Sequence, residues 1–159
     1  MFSELFAPVS IGVRTIAKTV RILERNHFKN VYSKFSGCTG QIQLVLNRLF
    51  AETPKNGSVT SEILDTVIKA IADEYAFFYK EALSRLSFNQ KCLVFAVAKD
   101  GSVENPSSSE FVKRHSLASV SSVQSSARAL LEQGVLHKDG SGLSIDDYFF
   151  CEWLRKEYF

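Results

Sequence analysis

The chain has 159 residues, of which 45% are hydrophobic and 23% charged, and its formal net charge is +2. A chain of this length buries roughly 68–70% of its unfolded surface and needs no metal or disulfide to fold. These proportions exclude disordered, collagen-like and low-complexity classes, and no run approaches the roughly 20 apolar residues of a membrane span.

Residues 18–23, Lys-Thr-Val-Arg-Ile-Leu, alternate polar and apolar, so Val20 and Ile22 share one face of an expected strand. From Asn26 the period changes. Phe28, Val31, Tyr32 and Phe35 form one stripe of a helix, and Gly37 is placed to end it. Thr39 is expected to cap a second helix over about 40–52, with Ile42, Val45, Leu46 and Leu49 inward. Residues 53–58, with Pro54 and Asn56-Gly57, break the periodicity and read as a loop. Thr60 then caps a long helix over about 61–84. Ile63, Val67, Ile71, Phe78 and Ala82 lie near its inner face, flanked by Leu64, Ile68 and Tyr75. The aromatic run Tyr75, Phe77, Phe78 and Tyr79 is expected in the core. A base-stacking platform interleaves aromatics with cations, and only Lys80 is adjacent.

A domain boundary is expected near Arg85–Ser87, where the long helix ends. Ser87-Phe88-Asn89 opens a helix that runs to about Lys99, with Cys92, Leu93, Phe95 and Ala96 apolar, and Asp100-Gly101 stops it. A turn over 104–109 leads into a short helix over about 108–115, with Phe111 and Val112 inward. After a tight turn at 116–119 comes a third helix over about 120–133. Ser121 and Gln124 have capping-box spacing there, and Val120, Val123, Ala127, Leu130 and Leu131 face in. Gly134 ends that helix. Two short alternating runs around Asp139-Gly140 read as a β-hairpin, and an aromatic helix from Tyr148 closes the chain. Helix, helix, turn, helix and hairpin is the order of a winged helix, in which the third helix is presented and the hairpin forms the wing. The expected fold class is therefore mainly α with a small β-hairpin.

Cys38, Cys92 and Cys151 show no metal or redox spacing and are expected to be free, buried thiols in a reducing cytosol. The start, Met1-Phe2-Ser3-Glu4-Leu5-Phe6, lacks the basic segment and long apolar run of a secretion signal, so the expected location is cytoplasmic. His27, His115 and His137 have no partner at motif spacing and read as surface or turn residues. Asp146 and Asp147 precede a helix, where carboxylates are favoured by its dipole. No nucleophile, base and orienter form a set, so no catalytic residue and no metal site is expected.

Three segments carry a resemblance to a known family. The first is residues 35–50, Phe-Ser-Gly-Cys-Thr-Gly-Gln-Ile-Gln-Leu-Val-Leu-Asn-Arg-Leu-Phe; the second is 86–90, Leu-Ser-Phe-Asn-Gln. The third joins 119–127, Ser-Val-Ser-Ser-Val-Gln-Ser-Ser-Ala, to 148–155, Tyr-Phe-Phe-Cys-Glu-Trp-Leu-Arg. In this order they resemble the lid helices and winged helix at the C-terminus of archaeal- and bacterial-type AAA P-loop ATPases, notably the ATP-binding protein family common in Bacteroidetes-like bacteria. The resemblance implies a remnant strand or segment of an ATPase core over 1–24, a helical lid-like domain over 25–85 and a winged-helix domain over 86–159. It also implies that the turn Gly37-Cys38-Thr39-Gly40 lies near nucleotide, and that ATP and Mg²⁺ belong to a full-length parent. This chain has no G-x-x-x-x-G-K-[ST] motif, so it is expected to hold no cofactor and to hydrolyse nothing by itself.

The partner stays open between the missing ATPase core, another protein, and DNA. The presented face of the third helix would be Ser121, Ser122, Gln124, Ser125 and Arg128, with His137 and Lys138 in the wing. Gln pairs with adenine, and Ser reaches phosphates or bases. Residues 1–48 carry seven basic and two acidic residues, whereas 107–159 carry six basic and seven acidic, so the wing domain is slightly acidic. Nonspecific affinity for duplex rests on neutralised phosphates, which favours a protein partner or an intramolecular one.

Overall fold

A computed structural model describes residues 23, 25–35, 37–140 and 142–159. The expected strand over 18–23 lies outside the described residues apart from Leu23, as does the segment 1–24 that contains it. Contacts divide the chain into two compact units, Met1–Val67 and Ile68–Phe159. No described helix is long and apolar enough to cross a membrane.

In the first unit, α1 (Arg25–Lys34) buries Val31, followed by buried Phe35, while Tyr32 is exposed. Gly37 adopts φ +75° and its N–H donates to the Tyr32 carbonyl. Thr39 is not the cap of the next helix. It is the first residue of α2 (Thr39–Glu52), and Cys38 holds the cap position with no side-chain hydrogen bond. Ile42, Val45 and Leu49 are buried along α2, and Leu46 is half-buried. Thr53 closes the helix by donating its hydroxyl to the Leu49 carbonyl at 2.6 Å, which lets a polar residue be buried.

The long helix expected over 61–84 is two helices. Thr60 Oγ1 accepts from the Ile63 N–H and opens α3 (Ser61–Glu74). Tyr75 then adopts φ −90°, ψ 0°, and α4 (Ala76–Arg85) follows. The break rotates the second face. Phe78 and Ala82, expected inward, are exposed, whereas Tyr79 and Leu83 are buried. The aromatic run is therefore not all core: Phe77 is 73% and Phe78 61% exposed, and Tyr75 is exposed beside them.

In the second unit, α5 (Phe88–Asp100) starts with a capping box, in which Gln90 N–H donates to Ser87 Oγ and Ser87 N–H donates to Gln90 Oε1. Leu93, Val94, Ala96, Val97 and Ala98 are buried along it, and Gly101 stops it at φ +87°. Ser108 caps α6 (Ser109–Arg114), which buries Phe111. A turn through Ser116 and buried Leu117 leads to α7 (Val120–Glu132). Strands β1 (Leu136–Asp139) and β2 (Gly142–Ile145) pair antiparallel, Leu136 opposite Ile145 and Asp139 opposite Gly142. Val103 exchanges both backbone hydrogen bonds with Leu143, adding a bridge on the other side of β2. A Cβ on Gly142 would stand 2.6 Å from the Val103 carbonyl, at φ +126°, so this approach requires glycine. The closing helix, α8 (Tyr148–Tyr158), buries Phe149, Phe150, Cys151, Trp153 and Leu154.

Helix α5 is the centre of this unit and packs on α7, α8 and β2; α6 and β1 pack on α7, and α4 and β2 on α8. The order and packing are those of a winged helix with α4 added ahead of it. The thiols differ from the expected burial. Cys151 is buried, Cys92 half-buried and Cys38 exposed.

Candidate functional site

The presented helix begins two residues earlier than its capping-box spacing suggested. Ser119, extended at φ −165°, ψ 163°, accepts from the Ser122 N–H at 3.1 Å and is the cap. Ser121 therefore lies inside the first turn rather than ahead of it. Val123, Ser126 and Leu130 form the buried stripe, while Val120 and Leu131, expected inward, are exposed. They fall about 100° round the helix from that stripe. Ser126 suits the stripe because a small side chain lets α7 approach its neighbours closely.

The opposite face holds the residues singled out by sequence. Ser121, Gln124, Ser125 and Arg128 are exposed, and Ser122 is half-buried. Positions 121, 124, 125 and 128 follow the spacing that brings side chains to one side of a helix. The face is thus two hydroxyls, an amide and one guanidinium, a hydrogen-bonding surface with a single fixed charge. Gly134, at φ +69°, ends the helix, and the Val135 N–H donates to the Leu130 carbonyl as the chain turns into the wing.

In the wing, His137 pairs with Ser144 and Lys138 with Leu143 across the hairpin. Lys138 is exposed, and His137 is half-buried with Nδ1 3.5 Å from Asp146 Oδ1. The wing's histidine thus faces a carboxylate.

The turn Gly37-Cys38-Thr39-Gly40 belongs to the other unit. Gly37 packs under Tyr32, whose hydroxyl would lie 3.1 Å from an added Cβ. Cys38, Thr39 and Gly40 are exposed at the start of α2, and a Cβ on Gly40 would meet open space. The turn has a packing reason for its first glycine and none for its second.

The strongly perturbed titrating groups lie away from these faces, around α8. Burial, then the charge of Asp147, pushes the Tyr79 hydroxyl far up, and Tyr79 Oη donates to Asp147 Oδ2 at 3.1 Å. Asp147 also caps α8, accepting from the Phe149 and Phe150 N–H groups. Burial pushes the Cys151 thiol up to about 11. Both groups are packed into the core, and burial is the first cause of both shifts.

Sequence spacing carries no sign of a second cluster that the fold assembles. Arg114 and His115 both reach Asp100, at 2.6 and 3.0 Å on the same carboxylate oxygen. His115, at the expected turn, is only 9% exposed in its side chain and packs on Phe111. Asp100 ends α5, Arg114 ends α6 and His115 follows it, so no local motif could have joined them. Among the described residues no group of three or more His, Cys, Asp or Glu gathers as metal ligands would.

Residues 77–156 match the family model described as a probable winged helix domain. No curated protein and no solved structure matches the chain.

Proposed function

The chain belongs to the probable winged helix domain family, and we propose that its winged helix is a non-catalytic binding module that docks on a protein surface through the exposed face of α7. The observation that carries this is the face itself: Ser121, Gln124 and Ser125 are exposed with Arg128 as the one cation among them. Duplex affinity grows with the number of phosphates neutralised, and this face offers few charges for it. Hydroxyls and an amide suit a close hydrogen-bonded contact with another polypeptide.

In its finer form, the proposal makes this chain the C-terminal module of a P-loop AAA-type ATPase: a lid-like domain over 25–85 and the winged helix over 86–159, in the cytoplasm. The missing ATPase core is then the first partner, and the parent supplies ATP and Mg²⁺ beside Gly37, Cys38, Thr39 and Gly40. The support is the order of the three sequence segments that resemble that family. An antibody against this chain, used on the source cell, tests it. A native product far larger than the 159-residue chain is expected, and a product of this size alone defeats the ATPase form.

One observation favours a second reading, a stand-alone DNA-binding regulator. Gln124 and Arg128 stand one turn apart on the exposed face, where a recognition helix carries its base contacts. Anisotropy titration with a mixed-sequence duplex at about 50 mM salt separates the two. Micromolar binding that falls steeply with salt and is abolished by Arg128→Ala with Lys138→Ala would establish DNA binding. No binding under those conditions is the result the protein-docking proposal expects.

A further inference from the structure

A cleft of about 310 Å³ opens beside the turn that joins α6 to α7. That is the lower end of the ~300–1,000 Å³ typical of small-molecule sites. Its two sides differ in chemistry. One is apolar, with Cys92 and Phe95 of α5 and Phe159 beyond α8; the other carries Lys99, Arg114 and His115. Phe95 and Phe159 meet nearly edge-on, with ring centroids 6.5 Å apart. The Lys99 Nζ stands 5.7 Å from the Phe159 ring centre, yet Phe159 is 60% exposed. An aromatic ring is thus held at the mouth of the cleft with much of its surface uncovered.

The cationic side is built, not incidental. Asp100 at the end of α5 accepts from Arg114 and contacts His115 through one oxygen, which ties both to the same point of the fold. A guanidinium has five N–H donors, more than one carboxylate oxygen can engage. Among the side chains that line the cleft, Lys99 and Arg114 are cationic and none is acidic. Ser116, which also lines the cleft, has φ +51° because it closes α6: its N–H donates to the Lys113 carbonyl and the Leu117 N–H to the Val112 carbonyl.

We propose that this cleft binds a small aromatic carboxylate. Its ring lies against Phe95 and Phe159, and its carboxylate meets Lys99 and Arg114. Two cationic side chains suit a carboxylate, and a cleft of about 310 Å³ suits a small ring. A flat ring covers the uncovered aromatic surface, and a carboxylate fits the fork of a guanidinium. Because Arg114, His115 and Ser116 form the turn into α7, the bound acid also braces the turn that holds the presented helix. The site does not depend on what α7 contacts.

The test uses the whole chain, ¹⁵N-labelled, titrated with 2-naphthoate, the uncharged 2-naphthamide, and inorganic phosphate. Arg114 is 56% exposed, so solvent screens the ion pair and a millimolar Kd is expected for naphthoate. Saturable shifts should be confined to the amides of 92–100, 113–117 and 158–159. Naphthamide should bind about tenfold more weakly, the scale of one lost charge-assisted hydrogen bond. Lys99→Met, a change at an exposed side chain, should weaken naphthoate several-fold, and Phe159→Ser should do so from the apolar side. Phosphate should not displace naphthoate. The proposal is overturned if shifts map elsewhere or if naphthamide binds as tightly as naphthoate. It is equally overturned if phosphate displaces naphthoate, or if no saturable shift appears by about 10 mM, well above the Kd expected of a fragment this size.

Discussion

Helices α7 and α8 are similar in length, 13 and 11 residues, and are put to opposite uses. α8 buries Phe149, Phe150, Cys151, Trp153 and Leu154. Its aromatic side meets Tyr79 of α4, whose ring lies 5.1 Å from Phe150 and 5.8 Å from Trp153. Arg155 Nε donates to the Ala98 carbonyl at the end of α5, and Lys156 pairs with Asp73. α7 buries only Val123, Ser126 and Leu130 and leaves its polar face to solvent. A helix that presents a face must be fixed by its other face. The apolar burial that holds the domain together is concentrated in α8 and α5, and α7 is free to carry side chains chosen for contact.

That contrast is easiest to break at Trp153, which is 1% exposed. Trp153→Ala should cost about 3–5 kcal/mol, the range for deleting a buried aromatic, and urea unfolding would show it. Next comes Asp147, which both caps α8 and accepts from Tyr79. Asp147→Ala should cost about 2–3 kcal/mol, from a lost cap and an unpaired hydroxyl. Tyr79→Phe should cost about 1–2 kcal/mol, since only the hydrogen bond is lost. The double variant should cost less than the two added together, because the residues share one interaction.

The thiols sharpen the comparison through pH. Cys151 is buried in α8, and its pKa is raised from an ordinary 9.0 to about 11. The fold therefore holds the neutral thiol more firmly than the unfolded chain does. That contribution is complete below pH ~9 and is lost as pH rises towards ~11, where the unfolded thiol ionises first. Thermal melts from pH 8 to 11 should show a falling Tm, and the fall should be shallower in Cys151→Ala. At pH 8, exposed Cys38 should react with a thiol reagent while Cys151 stays protected until the chain unfolds.

The smallest effect belongs to the presented face. Gln124→Ala and Arg128→Ala remove exposed side chains. Each should change stability by less than about 0.5 kcal/mol. A partner that docks on α7 should nevertheless lose measurable affinity for both variants. If instead either change unfolds the domain, α7 is a structural helix like α8 and the contrast fails.

Much of this architecture was legible along the chain because it rests on local chemistry. Helix periodicity, the Gly101 and Gly134 stops, the hairpin at Asp139-Gly140 and the Thr60 cap all depend on residues within a few positions of each other. The exposed stripe of Ser121, Gln124, Ser125 and Arg128 followed from the same periodicity. What only the tertiary structure decided depends on rotation and distance. One residue, Tyr75, breaks a helix and turns the following face, so Phe77 and Phe78 come out and Tyr79 goes in. Helical spacing counted through that residue cannot register the turn. The choice of Ser119 over Ser121 as cap rests on where Leu117 and Val123 are buried, which fixes where the helix starts. The bridge of Val103 to Leu143, the bond of Tyr79 to Asp147 and the meeting of Arg114 and His115 on Asp100 join residues 14 to 68 positions apart. Local propensity sets which elements form. The burial of apolar surface then decides how they turn, and with that which side chains meet and which remain for a partner.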